Sequence, residues 1–361
     1  MWPDRRLVDL LGIEIPIVQA PMAGANGAEM AIAVSEAGGL GSLPCAMLSP
    51  EQARTALGVI RQRTARPFNV NFFCHRPPRS DAAREGVWRE RLAPYYREFG
   101  LDPAAVPAGP ARRPFDEESC ALVEEFSPAV VSFHFGLPER RLLDRVRATG
   151  ARILSSATTV EEARRLEDEG CDAIIAQGVE AGGHRGMFLT QDVAAQVGTF
   201  ALVPQVVDAV RVPVIAAGAV ADARGIVAAM VLGAAGVQIG TAYLHCPEAT
   251  ISAPHKAVLA QGREDATALT NVFTGRPARG FLNRAMREIG PLSDAAPEFP
   301  LAANAMAPLR AKAEAAGSGD FGPLWSGQAA RLGRAMPAGD LTRTLAAEAQ
   351  ALLHRLAPAD A

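Results

Sequence analysis

Several features that commonly signal a function are missing from this chain of 361 residues. Its five cysteines, at 45, 74, 120, 171 and 246, are odd in number and show no Cys-x-x-Cys spacing. That argues against a disulfide framework or a zinc knuckle and favours a reducing, cytoplasmic setting. The N-terminal Met1-Trp2-Pro3-Asp4-Arg5-Arg6 leads into no apolar run of the secretory kind. The longest apolar stretch, 226–244, is broken by Gly233, Gly236, Gln238 and Gly240, so it reads as a buried helix and strand rather than a membrane span. No G-x-G-x-x-G follows a strand pattern and no G-x-x-x-x-G-K-[ST] occurs, so neither a Rossmann dinucleotide domain nor a P-loop is expected. The six histidines form no H-E-x-x-H and no paired spacing, and Cys74-His75 stand adjacent without partners, so no metal site is expected. A formal net charge of -3 gives no reason to expect nucleic acid or an anionic membrane as partner.

What is present is a repeat of short apolar runs and longer helical patterns. Eight runs rich in Val, Ile and Phe occur at Pro16–Ala20, Leu40–Leu43, Phe68–Phe73, Val130–Phe135, Arg152–Ala157, Ala173–Gly178, Val212–Gly218 and Gly236–Thr241. Most are almost continuously apolar, as strands covered on both faces are. Thr159 and Asp222 sit where helix caps belong, and Gly170 and Gly233 where those helices should stop. Eight strands with intervening helices predict an α/β fold, one TIM (β/α)8 barrel over residues 1–245. Two segments exceed that repeat. Residues 74–127 form an insertion between strands three and four, with a charged helical pattern over 82–99. Residues 246–361 read as a mostly helical C-terminal region that packs near the barrel mouth.

In such barrels the chemistry lies at the carboxyl ends of the strands. The candidates there are Ala20, Pro21 and Met22 after strand one, Asn71 in strand three and His134 in strand four. Gln177, Gly182, Gly183 and His184 follow strand six, Ala217 and Gly218 end strand seven, and Gln238, Gly240 and Thr241 end strand eight. Glycines after strands seven and eight suit a phosphate, because backbone N–H groups can approach the anion; they would equally serve as plain strand-to-helix turns. His184 is flanked by Gly182, Gly183 and Gly186. A loop so poor in side chains can lie against a flat cofactor and present one imidazole for proton abstraction or substrate polarisation, although a solvent-facing loop histidine has the same spacing. His134 suits a barrel-interior residue as well as a substrate contact. His245, His255 and His354 read as structural or surface residues.

These blocks, together with Phe68–His75 and Thr274–Gly280, resemble the nitronate monooxygenase (2-nitropropane dioxygenase) family, class I in particular, over nearly the whole chain. The resemblance implies bound FMN, contacted by the strand-end residues named above, with His184 as catalytic histidine and His134 beside it. It implies a small-molecule substrate: an alkyl nitronate, or a nitroalkane, oxidised with O2 to a carbonyl compound and nitrite. A monomer or homodimer is expected. The alternative is an FMN-dependent NAD(P)H-using reductase of the enoyl-ACP or quinone type, which shares the Gly-Gly-His loop. One departure stands out. Where class I members carry two tyrosines and a lysine, this chain has Phe299, Ala303 and Ala307, so a more apolar pocket is expected, with weaker binding of a carboxylate-bearing nitronate.

Overall fold

The computed structural model describes residues 2–79, 81–104, 106, 112–261 and 267–356. All eight apolar runs form strands: β1 (Ile17–Gln19), β2 (Gly41–Pro44), β3 (Phe68–Phe73), β4 (Val130–His134), β5 (Arg152–Ala157), β6 (Ala173–Gln177), β7 (Val214–Ala217) and β8 (Gly236–Ile239). They pair in parallel in the order β1-β8-β7-β6-β5-β4-β3-β2. A bridge between Val18 and Leu40 closes the seam. There Leu40 N donates to Ile17 O and Gln19 N to Leu40 O, each at 2.9 Å. The result is the TIM barrel that the alternating pattern predicts.

Two apolar layers explain why the strands read as continuous hydrophobic runs. Inward residues Val18, Leu40, Leu154, Ile175 and Ile215 pack on Leu7, Val8 and Leu11 of helix Arg6–Leu11, which plugs the amino end of the barrel. Outward residues such as Ile17, Val70, Val131, Ile174 and Val237 pack on the surrounding helices. The caps work as the sequence suggests. Thr159 accepts from Glu162 N, Asp222 accepts from Arg224 N and Gly225 N, and Gly170 and Gly233 take positive φ just past their helices. At Gly41 an added Cβ would lie 1.9 Å from Ala31 O, so only glycine lets helix Ala28–Glu36 lie against β2.

The two extra segments meet each other. Helix Ala82–Glu98 presents Trp88, Leu92 and Tyr96, one helical face, to Val272, Phe273, Met286, Met306, Leu309 and Phe321 in a second core. Trp88 Nε1 donates to Ala302 O at 3.3 Å and Tyr96 Oη to Ala305 O at 2.6 Å. Helix Glu117–Phe126, within the span read as insertion, instead puts Cys120, Leu122 and Val123 into the barrel core. The region after residue 245 likewise divides. Helix Ala302–Ala315 joins the second core, while helix Ala338–Leu356 returns to the barrel. It packs between helices Ala28–Glu36 and Ala223–Val231, with Tyr243 Oη 2.8 Å from Thr342 Oγ1. The region is also less purely helical than expected. Strands Thr267–Thr270 and Ala278–Phe281 pair antiparallel, and the second pairs with Gly183–His184. Four-residue strands with no alternation left no signal of period two. Among the described residues no helix is long and apolar enough to cross a membrane.

Candidate active site

A cavity of about 500 Å³ opens at the carboxyl ends of the strands, and every strand-end candidate named above lines it. The backbone is strained at its rim. Phe135 has φ 72° and Ala219 φ 58°, directly after β4 and just beyond β7. Such conformations persist only where surrounding structure enforces them, and they concentrate at functional sites.

The loop after β6 is held by its own side chains. Arg185 turns inward and is fully buried, donating to Gly178 O at 2.7 Å and Gln177 O at 2.6 Å. The Gln177 amide donates to His184 O at 3.0 Å and accepts from Gly186 N at 2.7 Å. His134 Nε2 also donates to His184 O, at 3.2 Å, while its Nδ1 accepts from Ser156 Oγ at 3.0 Å. Both ring nitrogens of His134 are therefore engaged, Nε2 on the loop and Nδ1 on Ser156 of β5. Gly186 allows this closeness, since a Cβ there would meet His134 Cε1 at 3.0 Å. Gly183 has φ 71°, and a Cβ on it would enter open space, so the bare backbone leaves room for a flat group.

His184 projects from this fixed loop. Its Nε2 lies 2.9 Å from Thr274 Oγ1. Its ring packs against Phe299 at 5.3 Å and Trp325 at 5.4 Å between centroids. Burial pushes its pKa well below the usual histidine value, and the positive charges of Arg112 and Arg276 and the rings of His134 and His75 push the same way. The imidazole is neutral at physiological pH. Burial likewise lowers His134 to about 3, helped by Arg276.

Two further features concern ligands. Gln238 lines the cavity with its Oε1 buried and without a partner among the described residues. A buried acceptor in this state calls for an N–H donor from a bound group. Gln238 and Gly183 both line the cavity, and an open backbone with a free acceptor suits a flat heterocycle bearing ring N–H groups. The expected apolar replacement looks different in place. Phe299 is buried in a cluster with Phe73 and Phe135, and neither Ala303 nor Ala307 lines the cavity, whereas Arg112 and Arg310 do. The pocket is thus not stripped of cations. Arg112, Arg310, Ser156, His255 and Trp325 were not foreseen as wall residues. Ser156, next to last in β5, was within reach of the strand-end rule. Arg112 lies in an irregular segment of the insertion, and Arg310, His255 and Trp325 come from beyond the last barrel strand, where no spacing ties them to strand ends. His255, read as structural or surface, is both buried and at the wall, its Nε2 donating to Trp325 O at 3.1 Å.

The family model for nitronate monooxygenase matches residues 4–348. The chain belongs to the nitronate monooxygenase family. It is therefore an enzyme of an oxidoreductase family that works with flavin. It is 44% identical over 346 residues to a nitronate monooxygenase of Pseudomonas aeruginosa, covering 95% of this chain and 98% of that protein. Among solved structures, a nitroalkane oxidase from Streptomyces ansochromogenes superposes with a TM-score of 0.88 at 39% identity, over 98% of this chain and 100% of that one. FabK from Thermotoga maritima superposes with a TM-score of 0.75 at 28% identity, over 99% of each chain.

Proposed function

We propose that this protein is an FMN-dependent enzyme that oxidises alkyl nitronates with O2 to a carbonyl compound and nitrite, and that it admits neutral nitroalkanes by proton loss to His184. The observation that carries the reading is the neutral, half-buried imidazole of His184, fixed at the wall of the strand-end cavity in a chain of this family.

A bound FMN would supply the acceptor for electrons from the nitronate and the means to pass them to O2. Gln238 and Gly183 would hold its ring system, with Asn71, Gln177, Ala20, Pro21 and Met22 along the same wall. Gly182, Ala217, Gly218, Gly240 and Thr241 would receive its phosphate arm, the backbone of the last two strand ends being the usual anion site of such barrels.

Thr274 has one hydroxyl proton, and its Oγ1 is placed to donate it to Arg276 O at 3.4 Å. It then accepts from Nε2–H of His184, and Nδ1 carries the lone pair; this tautomer is assigned from the bonding pattern. In that form Nδ1 can take the proton from the carbon bearing the nitro group. His134, with both nitrogens bonded, acts as a positioning residue. Aromatic rings at 73, 135, 299 and 325 around His184 keep water from the proton.

The test is nitrite release in air from alkyl nitronates of increasing size by the purified, flavin-loaded protein. Nitrite formation without added NAD(P)H is expected. Rapid flavin bleaching on anaerobic mixing with NADPH, without nitrite release in air, would replace this reading with the reductase one that the likeness to FabK also permits.

A further inference from the structure

Arg112 and Arg310 line the cavity and Arg276 stands near enough to His184 to act on it; Arg276 and Arg310 already have partners. Arg276 lies 3.9 Å above the Phe135 ring and donates to Met187 O; its Nε is buried without a partner among the described residues, but the carboxylates of Glu162 and Glu298 act on its charge. Arg310 is paired with Glu314 at 2.9 Å. Arg112 differs. Its contacts are a 4.0 Å approach of Nη2 to the Met47 sulfur and the face of Phe299, 5.9 Å from its Cζ. Among the described residues it has no carboxylate partner, and the charged group that acts on it is another cation, Arg310. A half-buried guanidinium at a cavity wall, with five donors and no oxygen acceptor among the described residues, is free to receive a ligand that brings one.

Its place is fixed. His75, buried at the end of β3, donates through Nε2 to Arg112 O at 3.0 Å. The Phe299 ring beneath the guanidinium stands edge to face with both His75, at 4.8 Å, and His184, at 5.3 Å. Arg112 is the strongest of the cations that depress His184. The positive charge therefore belongs to the end of the cavity where the base stands, on the segment after β3. The glycines suited to a phosphate come from β7 and β8.

We propose that Arg112 is a specificity-determining residue that binds a carboxylate carried by the substrate, orienting the reacting carbon toward His184. This rests on the functional reading above for the reaction, though not for the binding. A guanidinium takes a carboxylate through two parallel N–H bonds, which fixes direction as well as charge. The pocket that the sequence suggested would disfavour carboxylates would thus select them, with the cation supplied from the insertion instead of helix Ala302–Ala315.

The experiment compares propionate 3-nitronate with propyl-1-nitronate, equal in chain length and differing in the carboxylate, on flavin-loaded wild type, Arg112→Gln and Arg112→Lys. Arg112→Gln should raise KM for propionate 3-nitronate at least tenfold and leave that for propyl-1-nitronate within twofold, with Arg112→Lys between. Titration of the holoenzymes with propionate, which does not react, should show the same tenfold weakening. Equal changes for both nitronates, or none, overturn the proposal. So does loss of flavin from Arg112→Gln, which would assign the guanidinium to the cofactor phosphate. If wild type releases no nitrite from either compound, the functional reading fails, and propionate binding alone decides. Weakening in Arg112→Gln sustains the carboxylate site and unchanged binding removes it.

Discussion

Nε2 of His184 and Oγ1 of Thr274 stand 2.9 Å apart. The bond joins the loop after β6 to the turn before strand Ala278–Phe281, so the orientation of the imidazole depends on a residue outside the barrel's own βα loops. Replacing Thr274 by Val keeps the shape and removes the oxygen. For a neutral nitroalkane, kcat/KM should fall about tenfold, a fraction of what general-base catalysis contributes. Flavin content should stay unchanged, and Thr274→Ser should restore the rate. Equal rates for Thr274→Val and wild type would remove the tautomer assignment.

Glu162 is fully buried yet close to the site. It accepts from Thr158 N and Oγ1, both at 2.7 Å, from Phe188 N at 2.6 Å and from Leu189 N at 3.1 Å. Four donors satisfy the carboxylate and pin the chain just beyond the His184 loop. Glu162→Gln turns an NH2 toward those donors and should cost about 2 kcal/mol, the order of a lost buried bond to a charged group. Urea denaturation measures it, and a midpoint equal to wild type would show that the loop does not need this anchor.

Buried and half-buried histidines set the response to acid. Burial lowers His75 and His255 to about 4 and His134 to about 3, against ~6.5 in an unfolded chain. Between pH 6.5 and about 4 the unfolded state binds protons that the native state does not, so stability falls as pH falls. Each histidine contributes up to about 1.4 kcal/mol per pH unit in that window. Urea midpoints should therefore drop steeply from pH 6.5 to 5 and change little from pH 8 to 7. His255→Gln should flatten the acid slope. An unchanged slope would mean that His255 is protonated in the native protein. By the same sign, His184 stays neutral through pH 6.5, and the acid limb of kcat/KM should lie well below that value.

The barrel was legible because buried parallel strands carry their own signal, and β3 and β5 match the expected runs to the residue. The strand-end rule then located the cavity wall from Ala20 to Thr241 without knowledge of any contact. Three things were not legible. The pairing of Gly183–His184 with Ala278–Phe281 is a contact across about ninety residues between segments too short for periodicity. Helix Ala338–Leu356 reads as amphipathic, but nothing in its pattern says that its apolar face meets helices Ala28–Glu36 and Ala223–Val231. The charge of the pocket was legible only in part, because the replacements at Phe299, Ala303 and Ala307 say nothing about Arg112 reaching the cavity from an irregular segment.

The most direct test of His184 as the base is steady-state nitrite release from a neutral nitroalkane by wild type and His184→Asn, each with flavin content verified by absorbance. The expected result is a fall in kcat of roughly 10²–10⁴-fold, with flavin bound and a smaller loss on the preformed nitronate. Full turnover of the nitroalkane by flavin-loaded His184→Asn would contradict it.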